Sequence, residues 1–223
     1  MNTTPRVTRI LCYGDSNTWG RSGSSTDRYP EAVRWTGLLQ NMLGKSYEVI
    51  EEGLCSRTTN LDEDDPSVIG RNGRDTLFSS LESQYPTDIV ILWLGTNDLK
   101  AKFDRSPSIV ASSLSDLVQI VFDLGKNQAN KRPKVLLVSP PLVRDEALKP
   151  DTKFKGAGYK SKQLAPKIKK IALKKGCDFV DLAQYVRAGD ADGVHLEPEA
   201  HKIVAEVMLQ KICDMMNSIE IEE

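Results

Sequence analysis

The chain has only two histidines, and one of them ends the segment Asp192-Gly193-Val194-His195, three residues after a carboxylate. An imidazole that donates one ring N–H to a carboxylate presents its other nitrogen as a base. Near the N-terminus, Gly14-Asp15-Ser16 offers a hydroxyl for that base. A serine hydroxyl is a poor nucleophile near neutral pH and needs a base within hydrogen-bond reach. We therefore predict that Ser16 is a nucleophile, that His195 is its base, and that Asp192 stabilises the imidazolium.

A serine nucleophile also requires donors aimed at the negative charge that develops on an attacked ester carbonyl. We predict three such donors: the backbone N–H of Ser16, a backbone N–H in the Leu54-Cys55-Ser56 turn, and the side-chain amide of Asn97. The last of these belongs to Gly95-Thr96-Asn97-Asp98, a polar segment that follows an apolar run.

Each motif also has a purely structural interpretation, which stays open at this point. Gly-Asp-Ser is common in turns, and the segment 192–195 could cap the helix that follows it. Asn97 or Asp98 could cap a helix in the same way. Gly53 could serve only to allow a positive φ angle.

The composition is typical of a globular protein, with 39% hydrophobic and 27% charged residues among 223. A formal net charge of -1 gives no field to attract nucleic acid or anionic membranes, and no apolar stretch approaches the roughly 20 residues of a membrane span. We find no secretory pattern at the N-terminus, no Cys-x-x-Cys and no histidine at ligand spacing, so we predict a cytoplasmic protein without disulfides or metal. The four scattered cysteines are Cys12, Cys55, Cys177 and Cys213.

Apolar β-rich runs alternate with helical patterns along the chain, and neither a repeat nor a linker interrupts them. This alternation predicts one α/β domain over residues 1–223, with a parallel sheet and helices on both of its faces. We place Cys12 in the core and His201, inside the last helix, on the surface. The predicted strands are 7–13, 47–50, 88–94, 134–138 and 179–182, and the predicted helices are 35–43, 75–84, 108–124, 164–175 and 198–216.

The polar motifs all follow predicted strands, and the carboxyl ends of parallel strands meet at one edge of a sheet, where ligands bind. Ser16 follows the first strand, residues 53–59 the second, residues 95–98 the third, and the Asp192–His195 segment the fifth. The sequence therefore predicts that all four groups meet along one rim.

At these combined residues the chain resembles the SGNH (GDSL-type) hydrolases, whose Ser, Gly, Asn and His come from four sequence blocks and whose last block is Asp-x-x-His. The segments 10–20, 34–37, 49–54, 57–60 and 94–98 are similar to the arylesterase/acyltransferase subgroup. The resemblance implies a three-layer α/β/α sandwich with the flavodoxin-like strand order 2-1-3-4-5. It also implies hydrolysis of short-chain esters by Ser16, His195 and Asp192, acyl transfer to alcohols or hydrogen peroxide, no metal or organic cofactor, and a homo-oligomer.

The chain departs from the family pattern in two places. Asn17 follows the nucleophile where GDSL-type members have leucine, and Cys55-Ser56 replaces the usual Ser-Gly pair. A backbone donor survives a change of side chain, so we assign the second oxyanion N–H to Ser56. We predict that the substrate contacts Asn17, Trp19, Leu54 and Val194, and that the long connection 143–159 walls the acyl or alcohol site.

A flavodoxin-like binding module is the alternative, because Ser16-Asn17-Thr18 could cradle a phosphate or flavin with backbone N–H groups. That alternative leaves Asp192 and His195 without a purpose. The lysine-rich stretch 149–175 is typical of a solvated face.

Overall fold

The computed structural model describes residues 6–25, 27–150 and 152–217 and contains a five-stranded parallel sheet. Its strand order is β2-β1-β3-β4-β5, which confirms the order implied by the resemblance. The strands are β1 Thr8–Gly14, β2 Tyr47–Gly53, β3 Ile89–Trp93, β4 Lys134–Ser139 and β5 Asp178–Asp181.

Helices cover both faces of this sheet. They are α1 Ser16–Trp19, α2 Trp35–Leu43, α3 Gly73–Ser83, α4 Pro107–Leu124, α5 Ala157–Ser161, α6 Leu164–Lys175 and α7 Pro198–Asn217. The sequence did not predict α1 and α5, because four or five residues are too few to display a helical period. Strand β2 runs on to Gly53 instead of stopping at residue 50. Its polar Glu51 is accommodated there by Arg34 and by the Thr36 hydroxyl.

The alternation of side chains along β1 divides the core into two layers. Ile10 and Cys12 pack with α2 and α7 on one face, and Leu11 and Tyr13 pack with α3, α4 and α6 on the other. The prediction that Cys12 is a core residue is confirmed, since its side chain is fully buried. All five residues of β3 are buried as well, because this strand lies between β1 and β4 and is covered on both faces.

Helix α4 is the one described helix whose length and composition would allow it to cross a membrane. Of the residues in this helix, 44% are buried inside the protein. It packs between α3 and α6, and its apolar residues belong to the core layer on that face.

The second histidine is not on the surface as predicted. The side chain of His201 is fully buried, and its Nδ1 accepts a hydrogen bond from the backbone N–H of Trp35 at 3.2 Å. Its ring also packs edge-on against the ring of Tyr29. The signal was present in the sequence, because His201 shares a helical stripe with Val204, Ala205 and Met208, all of which are buried.

Burial of His201 makes the folded state sensitive to acid. Loss of hydration, and then the nearby charge of His195, lower the pKa of His201 from 6.5 to about 4. Between pH 6.5 and pH 4 the imidazole of residue 201 binds a proton in the unfolded chain but not in the folded one. The free energy of unfolding therefore decreases as the pH falls through this range. We expect His201→Asn, which keeps an acceptor for Trp35, to remove this loss. When the pH is lowered from 7 to 5, the free energy of unfolding measured in urea should change by about 2 kcal/mol in favour of the variant, relative to the wild type.

The control for this comparison is Lys202→Gln, which changes an exposed neighbour on the same helix. Its unfolding free energy should follow the wild type at both pH values. Equal pH slopes for His201→Asn and the wild type would contradict the assignment.

Candidate active site

Ser16 lies directly after β1, at the first residue of the short helix α1. The side chain of Asp15 caps this helix by accepting the backbone N–H of Asn17 at 2.9 Å. Strand β2 passes close behind the same helix, since a Cβ on Gly53 would lie 2.2 Å from the backbone nitrogen of Trp19. Gly53 is therefore required by this close approach, and a positive φ is not the reason for it.

The structure brings Ser16, His195 and Asp192 together in one hydrogen-bonded line. The Ser16 hydroxyl lies 2.8 Å from Nε2 of His195, and Nδ1 of His195 lies 2.5 Å from Oδ2 of Asp192. An ionised carboxylate only accepts hydrogen bonds, so Nδ1 carries the hydrogen and donates it to Asp192, and Nε2 is left to accept the serine proton. Residues separated by 179 positions in the chain thus form the arrangement expected of a nucleophile and its base.

Asp192 is held in its charged form by the turn to which it belongs. Partial burial alone would raise the pKa of Asp192, but the side chain of His195 and the backbone N–H groups of His195 and Val194 lower it to about 2. Those two backbone donors bind Oδ1 at 2.9 and 3.0 Å, which leaves Oδ2 for the imidazole. Gly193 completes the turn with a positive φ of 71°, the conformation that glycine adopts most readily.

The three predicted oxyanion donors also converge on this edge. Ser16, Ser56 and Asn97 all line the same cavity. Among the described residues no acceptor binds the backbone N–H of Ser16 or Ser56. One N–H of the Asn97 amide donates to the backbone carbonyl of Arg57 at 3.1 Å, and the second remains for a ligand.

Arg57 is a site residue that sequence reasoning missed. Its guanidinium lies 4.0 Å from the centre of the Tyr13 ring and donates to the carbonyls of Gly14 and Glu52, where β1 and β2 end. Its own carbonyl orients Asn97. A buried arginine thus connects the ends of two strands to Asn97, one of the predicted oxyanion donors, and the sequence indicated this only by its place in the 57–60 segment.

Asp98 fixes the neighbouring loop and does not cap a helix. Its fully buried carboxylate accepts the backbone N–H of Thr59 at 3.0 Å and the Thr59 hydroxyl. Burial raises the pKa of Asp98, and the two contacts from Thr59 oppose that rise. The loops after β2 and β3 are therefore bound to each other beside Ser56 and Asn97.

Of the four residues predicted to contact substrate, the structure places one on the cavity wall. That residue is Val194. Asn17 is buried, and its side-chain amide forms hydrogen bonds with two backbone groups. The amide oxygen accepts from the N–H of Leu196 at 3.0 Å, and the amide nitrogen donates to the carbonyl of Val194 at 3.3 Å. It therefore holds the two residues that flank His195. Trp19 and Leu54 are not among the lining residues either, and Trp19 packs against Arg28.

The cavity around Ser16 has a volume of about 460 Å³. Part of its wall comes from the connection 143–159, which contributes Lys149, Thr152, Lys153 and Phe154. This agrees in position with the expectation that the long connection walls the site. No group of three or more metal-ligating side chains occurs within the described ranges.

Asp15 is a fully buried ionisable group next to Ser16. Burial raises the pKa of Asp15 to about 6, against the lowering effect of its contact with Asn17. As the pH rises above 3.8, the Asp15 carboxyl of the folded protein therefore keeps a proton that the unfolded chain releases. This difference favours the folded state at low pH, and the stabilisation is lost as the pH rises through 6. This acts in the opposite direction to His201, so the effect of His201 is visible only by comparison of variants.

Comparisons with known proteins identify the family to which the chain belongs. Residues 12–203 match the model of the GDSL-like lipase/acylhydrolase family. The carbohydrate acetylesterase Est24 from Sinorhizobium meliloti is 37% identical, with a TM-score of 0.85 over 93% of this chain and 99% of that chain. The native aryl esterase of M. smegmatis is 36% identical, with the same TM-score and the same coverage.

A second carbohydrate acetylesterase family member from Sinorhizobium meliloti superimposes with a TM-score of 0.87 at 30% identity, over 95% of this chain and all of that one. A search of curated proteins finds no significant match. The chain belongs to the GDSL-like lipase/acylhydrolase family, and it is an esterase. The resemblance to SGNH hydrolases noted in the sequence is thereby confirmed.

Proposed function

We propose that this protein is a serine esterase that hydrolyses short-chain acyl esters, such as aryl or acetyl esters, through an acyl-enzyme on Ser16. The observation that carries the proposal is the 2.8 Å contact between the Ser16 hydroxyl and Nε2 of His195, whose other nitrogen is bound to Asp192. The names of the similar structures, which are acetylesterases and an aryl esterase, support the choice of acyl group.

In the first half of the proposed reaction, Nε2 of His195 takes the hydroxyl proton while Ser16 Oγ forms a bond to the ester carbonyl carbon. The carbonyl oxygen becomes negative and receives hydrogen bonds from the backbone N–H groups of Ser16 and Ser56 and from Asn97. Each such donor typically contributes about 10²–10³ in rate. As the tetrahedral species collapses, the imidazolium returns the proton to the departing alcohol.

In the second half, water enters the same cavity and loses a proton to His195 as its oxygen attacks the acyl carbon. The proton then returns to Ser16 Oγ, and the carboxylic acid leaves. Asp192 stays ionised throughout, since hydrogen bonds keep its pKa near 2. An added alcohol could replace the water, which is why acyl transfer is a side reaction of the same proposed intermediate.

A series of p-nitrophenyl esters from acetate to octanoate tests this function. We expect kcat/KM to be highest for the esters with short acyl chains. Rapid quenching during turnover of p-nitrophenyl acetate should show a mass increase of one acetyl group on the peptide that contains Ser16. The absence of an acetylated peptide would contradict the proposal.

A further inference from the structure

The wall of the cavity around Ser16 is rich in cationic side chains. Arg21, Lys100, Lys149 and Lys153 all line it, and the acidic lining residue is Asp192, which is already bound to His195. This concentration does not reflect a basic protein, because the whole chain has 30 basic and 31 acidic residues and a formal charge of -1.

Lys100 differs from the other three cations because it is neutralised within the protein. Its ammonium group is buried and forms an ion pair with Glu63, which is buried as well. We call the other three residues, Arg21, Lys149 and Lys153, the cationic wall. Among the described residues, no carboxylate lies within 4.0 Å of their charged groups. Asp151, between the two lysines in sequence, lies outside the described residues.

The cationic wall is anchored to the rest of the fold. The carbonyl of Lys153 accepts the backbone N–H of Ala101 at 2.8 Å, and the adjacent Phe154 packs against the core. Arg21 is joined to Arg28 by an antiparallel bridge. The lysine-rich stretch is therefore not uniformly a solvated face, since its first two lysines reach the active-site cavity.

The positive charge of Lys153 also acts on Lys100 within this cavity. Burial is the main cause that lowers the pKa of Lys100; Glu63 opposes it, and the charge of Lys153 lowers the pKa further. Lys100 and Lys153 line the same cavity, where the charge of Lys153 disfavours the charge of Lys100. An anion bound between the walls of the cavity would relieve this repulsion.

We infer that the ester bound here carries a negative charge on its alcohol part, which the cationic wall of Arg21, Lys149 and Lys153 recognises. This inference rests on the proposed esterase function. It assigns the charge to the alcohol part because a cavity of about 460 Å³ has far more room than a short acyl group needs, and the remaining space holds the leaving alcohol.

Two acetyl esters that differ in charge test the inference. 4-Acetoxybenzoate carries a carboxylate on its alcohol part, and methyl 4-acetoxybenzoate is its neutral counterpart; hydrolysis gives acetate and the matching phenol from each. The measured quantity is the ratio of kcat/KM for the charged ester to kcat/KM for the neutral one. We expect the double variant Lys149→Gln/Lys153→Gln to lower this ratio about 10-fold, the usual effect of losing hydrogen bonds to a charged group.

The matched control is Lys155→Gln, which removes an exposed lysine of the same connection that does not line this cavity. Its ratio should equal that of the wild type. In the wild type, raising the salt concentration should lower the ratio, because mobile ions screen the wall.

The inference is overturned if the double variant and Arg21→Gln both keep the wild-type ratio. It is also overturned if only an ester with a charged acyl part, such as p-nitrophenyl hydrogen succinate, responds to the variants. Failure of the esterase proposal would look different, because neither acetoxybenzoate ester would then be hydrolysed by the wild type.

Discussion

Replacing Ser16 with alanine is expected to lower kcat for p-nitrophenyl acetate by about 10⁴–10⁶-fold. The variant loses the only protein atom in the proposed mechanism that bonds to the acyl carbon, whereas His195 and Asp192 remain in contact. Because Ser16 is the first residue of a helix that Asp15 caps, alanine should fit there without disturbing the fold. Activity and the melting temperature of the variant are the two measurements.

Ser112→Ala is the matched control, since it deletes an exposed hydroxyl on α4. It should retain wild-type kcat. If Ser16→Ala kept a tenth or more of the wild-type turnover, another group would have to be the nucleophile. If it lost both activity and its cooperative melting transition, Ser16→Gly and Ser16→Cys would separate folding from chemistry, since cysteine restores a nucleophilic atom.

The second large effect is expected for Asp192→Asn, with kcat lowered by about 10⁴-fold. Oδ1 of Asp192 accepts two backbone N–H groups, so the carbonyl oxygen of asparagine must take that position. The NH2 group then faces Nδ1 of His195 and forces the proton onto Nε2. In that tautomer the imidazole donates to Ser16 and can no longer accept its proton.

Asp190→Asn supplies the comparison, because it makes the same chemical change in the same turn, on a side chain that is 90% exposed and paired with Arg144. Its kcat should stay close to that of the wild type. Near-normal turnover by Asp192→Asn would mean that the carboxylate does not set the tautomer of His195.

The placement of the site followed from the sequence because strand ends and side-chain chemistry restrict it strongly. Only two histidines were available, and only His195 lies in a turn with a carboxylate three residues before it. The apolar run that became β3 identified the centre of the sheet, and the residues just after it include Asn97. The helical period of α7 also places His201 on the buried face of that helix, with Val204 and Ala205.

The roles of Asn17 and Arg57 could not be predicted in the same way. Both sit beside motif residues, so proximity along the chain suggested substrate contact for Asn17 and suggested nothing for Arg57. Their actual partners are backbone groups of the turn around His195 and of the ends of β1 and β2. Every residue type carries the same backbone carbonyl, and nearly every type the same N–H group, so the residue types do not indicate where contacts with the backbone form.

The amino-acid sequence by itself determined the α/β architecture and the choice of Ser16, His195 and Asp192 as the candidate nucleophile, base and carboxylate, because periodicity and rare chemical groups can be read from the residue types. The tertiary structure decided which side chains line the cavity, which ones hold the turns around it, and where the cationic wall lies. Those features depend on distances between segments such as 16–21 and 149–154, and such distances exist only after the chain has folded.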